Sequence, residues 1–173
     1  KMQAMAAKQL LFHDDARERI LCGADQLARA VRVTLGPRGR TVILERAFDG
    51  PQIVNSGVLV ARAVELEDPA ENLGAQLLRE VAARTSEQAG DGTTTATVLA
   101  HAMLQEGQRV LASGLNPVQV KRGIDRAVEA AVAELRRLAR PCATATEIAH
   151  VATISANNDR SIGELLARAI DRV

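Results

Sequence analysis

Ala89-Gly90-Asp91-Gly92-Thr93-Thr94-Thr95-Ala96-Thr97-Val98-Leu99-Ala100 puts two glycines and three consecutive hydroxyls where a helix begins. The N–H groups of a first helical turn have no intrahelical acceptor, and the helix dipole adds positive charge at the same end. Backbone and side-chain donors therefore converge on one spot, which is an anion site. Asp91 inside it would repel a phosphate unless a divalent cation lay between them, so one reading makes Asp91 a Mg²⁺ ligand beside a triphosphate. The other makes Asp91 the helix cap, with Thr94 supplying local hydrogen bonds. Spacing alone leaves both open. A Walker loop is excluded, because the chain has no Gly-Lys-Ser/Thr.

Outward from this stretch the sequence reads as helices. The helix opened at Gly90 to Gly92 carries Val98, Leu99, Ala102 and Met103 toward Val110. Before it, Asp68-Pro69 announces a helix, a cap followed by proline at the first helical position, running through Leu73, Leu77 and Val81 to Gly90. Further back, Asp14 or Asp15 is placed to cap a helix whose Ile20, Ala24, Leu27 and Val31 share one face and which stops by Gly36-Pro37. Between these two, Thr41 to Leu44 and Gln52 to Val54 are short β-branched apolar runs joined by Phe48-Asp49-Gly50-Pro51, the pattern of a small β-hairpin. Downstream, Asn116-Pro117 starts a helix of over twenty residues with Ile124, Ala127, Ala131, Leu135 and Leu138 on one stripe, ending at Arg140-Pro141. Two shorter helices follow, near Thr146 to Val151 and Asp159 to Val173, separated by Ser155-Ala156-Asn157-Asn158. The fold class is mainly α, a long-helix bundle with one small β-hairpin, and Pro141-Cys142 marks a hinge or subdomain boundary. Lys1 to Ala4, ahead of Met5, are given no weight and read as a remnant.

Composition narrows the partners. Of 173 residues 47% are hydrophobic and 25% charged, the balance of a globular chain rather than a disordered one. Phe12 and Phe48 are its two aromatics, so the core must be close-packed Ala, Val, Leu and Ile, and base-stacking platforms and aromatic cages are excluded. The 22 basic and 21 acidic residues interleave to a net charge of +1, leaving no basic stripe for nucleic acid. No window reaches the roughly 18 apolar residues that span a bilayer, and no signal-peptide core opens the chain. A cytoplasmic location is expected, with Cys22 and Cys142 as reduced thiols. His13, His101 and His150 stand in no zinc-like spacing.

A second loop, Thr34-Leu35-Gly36-Pro37-Arg38-Gly39-Arg40, follows the first helix. Its glycines would admit a close approach of backbone to a ligand and its arginines could meet phosphates. An ordinary helix stop with solvated arginines fits the same residues.

Several strings, taken together, resemble the group I chaperonins, the GroEL family. They are Val33 to Arg40, Val64-Glu65-Leu66-Glu67-Asp68, Ala89 to Ala100, Gly114-Leu115-Asn116-Pro117, Lys121-Arg122-Gly123-Ile124-Asp125 and Thr153-Ile154-Ser155-Ala156-Asn157. The resemblance runs from about Met5 to Val173. It implies the N-terminal half of an equatorial ATP-binding domain over 5–138 and the beginning of an intermediate domain over 139–173, with the apical domain absent. It implies that Leu35, Gly36 and Pro37 contact ATP, that Asp91 holds Mg²⁺, that Gly92, Thr93, Thr94 and Thr95 bind phosphates, and that Asn55, Gly57 and Ile154 belong to the nucleotide pocket. The hairpin resembles the family's stem loop, and Leu10, Leu11 and Phe12 its N-terminal strand. The implied partners are identical subunits in a ring, heptameric and doubled in the family, with non-native client proteins and a co-chaperonin reached through domains beyond these residues.

Two departures accompany the resemblance. The family pattern before Gly57 is Lys-Asp-Gly, whose aspartate serves the attacking water, but here the residues are Asn55-Ser56-Gly57. Ser56 carries no charge and is a poor base, so binding is expected to survive while hydrolysis weakens. The second departure is the missing remainder of the subunit, which reads as a fragment or a truncated gene product. The leading expectation is thus the ATP-binding portion of a chaperonin subunit that assists folding of non-native proteins. The alternatives are a nucleotide- or subunit-binding paralogue with little turnover, and a helical interaction module whose Gly-Asp-Gly-Thr loop is structural.

Overall fold

The computed structural model describes residues 9–36, 38–46 and 50–172. The order is α1 (His13–Arg32), β1 (Val42–Leu44), β2 (Gln52–Val54), α2 (Gly57–Ala63), α3 (Pro69–Ala89), α4 (Thr93–Ala112), α5 (Pro117–Leu138), α6 (Ala145–Ser155) and α7 (Arg160–Ile170). The fold is mainly helical, as expected. Two compact units divide between Leu115 and Asn116.

In the first unit α1 packs on α3 and α4, and α2 fills the gap among them. The core is Ala24, Leu27, Ala28, Val31, Val54, Val60, Ala61, Ala75, Leu78 and Ala82, the small aliphatic set that a chain nearly without aromatics has to use. Small residues let the backbones close up. A Cβ on Gly23 would overlap the carbonyl of Glu71, and one on Gly74 would overlap the carbonyl of Ile20, so α1 and α3 cross glycine against backbone on both sides.

The helix ends follow their local chemistry. Asp68 caps α3 by accepting from the N–H groups of Ala70 and Glu71, with Pro69 at the first position and Gly90 closing the helix at φ 74°. Arg19 of α1 also reaches Asp68 at 2.8 Å, tying the two helices together. The Asp68 carboxyl is held below its ordinary pKa, first by the Glu71 N–H. Asp14 and Asp15 do not cap α1: the helix starts at His13 with Phe12 at the cap position and no side-chain cap bond, and the two carboxylates lie in the first turn, pairing with Arg17 and Arg19. They act there on the helix dipole rather than on free N–H groups.

The hairpin has the expected strands, with Val42 opposite Val54, Ile43 opposite Ile53 and Leu44 opposite Gln52. Phe48 and Asp49 lie outside the described residues. Leu10 to Phe12 form no strand; Phe12 is extended ahead of α1. Helix α2 has no counterpart in the sequence reading. It is seven residues long, about two turns, its first residue is glycine, and its N-cap Ser56 makes no cap bond, so neither period nor punctuation announces it. Its far end is held from outside, where the Arg79 guanidinium of α3 donates to the carbonyls of Ala61 and Val64.

Two helix faces differ from expectation. In α3 the buried positions are Ala70, Gly74, Ala75, Leu78 and Ala82, whereas Leu73 and Leu77 are more than half exposed. In α4 they are Thr93, Thr97 and His101, with Leu99 and Met103 facing out. A polar stripe faces inward there because the Thr97 hydroxyl bonds the Thr93 carbonyl at 2.8 Å and so takes its own hydrogen bond into the core.

The second unit holds α5 and a hairpin of α6 on α7. Asn116 caps α5, Asp159 caps α7, and Thr144 with Glu147 forms a capping box on α6. Gly163 of α7 lies against Thr153 and the carbonyl of Ala149, again a glycine at a helix crossing. Asn157 and Asn158 make the turn between α6 and α7 with φ of 57° and 67°, a region asparagine tolerates. Among the described residues no helix is long and apolar enough to cross a membrane.

Candidate functional site

Three chain segments meet at the start of α4. The first is the turn that ends α1. There Thr34 donates its hydroxyl to the Val31 carbonyl at 2.8 Å, Gly36 takes φ 73°, and the Gly39 and Arg40 N–H groups bond the carbonyls of Gly36 and Val33. The second is the end of β2, where Asn55 and Ser56 lead into Gly57, the first residue of α2. The third is the loop Gly90 to Gly92, with both glycines at positive φ, opening into Thr93, Thr94 and Thr95.

Contacts tie the segments together. The hydroxyls of Thr34 and Thr94 lie 2.8 Å apart. Because a hydroxyl has one proton and Thr34 gives its own to Val31, Thr94 is the donor in this pair. Gly57 sits against the same threonine: a Cβ there would overlap the Thr94 hydroxyl and come within 3.0 Å of the Thr94 nitrogen and 3.1 Å of the Thr93 hydroxyl. Glycine at position 57 is thus a steric requirement of bringing α2 and α4 end to end.

The N-terminus of α4 carries no side-chain cap. Gly92 is the cap residue, at φ 79° and ψ 14°, and Asp91 stands one position outside the helix, accepting from the Gly92 N–H at 2.6 Å. This corrects the capping alternative for Asp91, since its carboxylate does not satisfy the first-turn N–H groups of the helix. The outward-facing end of α4 thus keeps the donors that an anion needs. Asp91 is exposed beside them. Among the described residues no cluster of three or more His, Cys, Asp or Glu side chains could hold a metal ion, and the carboxylate of this loop is that of Asp91. That donor set fits Mg²⁺, which commonly takes one or two carboxylates and completes its shell with water and phosphate oxygens.

Of the residues named from the sequence, Leu35, Gly36, Asn55, Ser56, Gly57, Asp91, Gly92, Thr93, Thr94 and Thr95 fall on these three segments. Pro37 lies outside the described residues. Ile154 lies in the second unit, on α6, with its side chain exposed. Thr34 joins the site as well; its sequence signal is a hydroxyl one residue before Leu-Gly-Pro, at the end of a helix. Arg38 and Arg40 are exposed.

Comparison with known proteins places the chain. The model of the TCP-1/cpn60 chaperonin family matches residues 27–173. The chain is 73% identical over 169 residues to chaperonin GroEL 2 of Albidiferax ferrireducens, covering 98% of this chain and 31% of that protein. It is 72% identical, with the same coverage, to chaperonin GroEL 1 of Polaromonas naphthalenivorans. The chain thus spans about a third of the length of these relatives. Among solved structures it is similar to a group III chaperonin in the open state, with TM-score 0.75 and 27% identity over 91% of this chain and 32% of that one. It is similar also to the chaperonin gp146 of a bacteriophage, crystallised in the presence of ATP-BeFx, with TM-score 0.75 and 28% identity over 94% of this chain and 29% of that one.

Proposed function

The chain belongs to the TCP-1/cpn60 chaperonin family, and from that premise we propose that residues 34–36, 55–57 and 91–95 form the phosphate and metal side of an ATP site. The observation that carries this reading is the uncapped end of α4, with Thr94 bonded to Thr34 and seated on Gly57. The first-turn N–H groups of Thr93, Thr94 and Thr95 bind and orient the phosphates, while the Thr94 hydroxyl, its proton given to Thr34, ties the segments together. Asp91 is the carboxylate that would hold Mg²⁺, and a bound Mg²⁺ would neutralise charge on the phosphate oxygens. The turn at Leu35 and Gly36 contacts the nucleotide.

In a subunit of the relatives' length, this portion serves as the N-terminal half of the equatorial domain over 5–138 and the start of the intermediate domain over 139–173. It works in a cytoplasmic ring of identical subunits, two stacked heptamers in our reading. There ATP binding and hydrolysis drive the folding of non-native proteins, with a co-chaperonin as further partner. Asn55-Ser56 in place of Lys-Asp favours a second reading on one point, slow turnover with binding retained.

Equilibrium binding of ATP with and without Mg²⁺ tests the site. Asp91→Ala is expected to abolish the Mg²⁺-dependent part of the affinity and to leave helix content unchanged, since Asp91 does not cap α4. Asp91→Asn, which keeps the shape and loses the charge, is expected to behave the same way. Equal MgATP affinity in parent and both variants removes the metal role.

A further inference from the structure

His101 of α4 is 2% exposed, and neither of its ring nitrogens has a hydrogen-bond partner. A buried polar group in that condition is uncommon and costs free energy, so its setting calls for a cause. Across the helix contact, Nε2 lies 3.4 Å from Oδ1 of Asp25 on α1, whose side chain is 40% exposed at the rim and is shared with Arg29 at 3.8 Å. The faces that α2 and α3 turn inward are uncharged: Gly57, Val60 and Ala61 from one, Gly74, Ala75, Leu78 and Ala82 from the other. On α4 itself the nearest charges in sequence, Glu106 and Arg109, pair with each other. The charges acting on the ring therefore come from α1, Asp25 attracting a proton to it and Arg32 repelling one.

We propose that the buried His101 ring is an acid-sensitive latch between α1 and α4, closed by packing while the imidazole is neutral and loosened, against the pull of Asp25, when it takes a proton from solvent. The neutral ring fills its place in an apolar interface, and the proton adds a full charge there with one partly solvated carboxylate opposite. Burial outweighs the pull of Asp25, so the ring's affinity for protons falls below that of an ordinary histidine. The sign follows. The unfolded chain takes up the proton first, near the ordinary value of 6.5, and the folded chain only at lower pH, so stability is complete above that value and is lost as pH falls below it. The helices that the latch joins lead directly to the Thr34–Thr94 contact, α1 at its end and α4 at its beginning. The latch does not depend on what that contact binds.

The test is equilibrium unfolding of the 173-residue chain in denaturant from pH 8 to pH 5, for the parent, His101→Gln and Asp25→Asn, with the histidine rings followed by NMR. In the parent the folding constant is expected to drop by up to about tenfold per pH unit below the ordinary histidine range, the limit for one proton. His101→Gln should lose that component, and Asp25→Asn should carry it to lower pH. Amide exchange should show α1 and α4 losing protection on acidification in the parent more than in His101→Gln. An identical pH profile in the parent and His101→Gln overturns the latch. If the glutamine variant does not fold, the parent decides alone: a His101 ring titrating at or above the ordinary value overturns the proposal, and one titrating below it supports it.

Discussion

Ser56 stands between a strand end and the glycine on which Thr94 is seated, and the proposed site gives it the place beside an attacking water. A carboxylate beside an attacking water orients it and accepts part of its developing positive charge, whereas a serine hydroxyl offers a dipole and almost no basicity at neutral pH. In a subunit of full family length with this sequence, Ser56→Asp is expected to raise ATP turnover about ten- to a hundredfold with little change in affinity, a typical general-base contribution recovered. Because Ser56 is also the N-cap of α2 and makes no cap bond, the new carboxylate has a competitor in the first-turn N–H groups of that helix. Turnover and dissociation constant are therefore to be measured for the parent, Ser56→Asp, and Ser56→Asp with Asn55→Lys. If neither variant turns over faster, position 56 does not limit hydrolysis. At this scale Gly90-Asp91-Gly92-Thr93 was readable as the start of a helix, because glycine, aspartate and hydroxyl residues favour that position. That the cap position falls on Gly92 and not on Asp91 was not readable. It turned on whether the helix began one residue later, at a glycine with positive φ, and spacing carries no such information.

The crossing of α1 and α3 is set by Gly23 and Gly74, each facing the other helix's backbone rather than a side chain. A flexible side chain can move away from an added methyl group, but a helical carbonyl cannot without moving its helix. Gly74→Ala is therefore expected to push the two helices apart and to cost about 1–3 kcal/mol or more, the range for overpacking a closed core. Denaturant unfolding should show a lower midpoint at nearly constant slope, while Gly107→Ala on α4, where nothing lies within 4 Å of the added carbon, should show no such loss. Helix boundaries were legible where Asp68-Pro69, Asn116-Pro117 and Gly90 mark them, since proline, glycine and capping carboxamides or carboxylates have narrow conformational ranges. Faces were less so. In α3 and α4 the large apolar residues at 73, 77, 99 and 103 point out, and glycine, alanine, threonine and histidine point in, so a search for a stripe of large aliphatics selects the wrong side. Close approach favours the smaller residue, and hydrophobicity alone does not register size.

Many large apolar side chains of the described residues stand outside the small core. Leu73 and Leu77 on α3, Leu99 and Met103 on α4, and Ile162, Leu165, Leu166 and Ile170 on α7 are exposed, and α5 has no buried residue although Val128, Val132, Leu135 and Leu138 run down one side of it. A stripe of that width on a helix is the mark of a face made to be covered, and contiguous exposed apolar area beyond a few hundred Å² drives association in water. Neither length nor composition disclosed this, because 47% hydrophobic residues suits a chain that buries them as well as one that does not. The stripe on α5 was legible as a helix face; that its own unit leaves these residues exposed was not. The 173-residue chain is accordingly expected to bind an apolar dye in its native state and to sediment as a concentration-dependent mixture at micromolar levels and above. Val132→Glu combined with Leu135→Glu places two charges on the α5 stripe, next to each other in space and outside the α1–α4 core, so it should lower dye binding and shift the mixture toward monomer without changing the unfolding of the first unit. If the parent runs as a monodisperse monomer, binds no dye and unfolds in one cooperative step, the α5 face is not an association surface and the exposed residues of α3, α4 and α7 are tolerated as they stand.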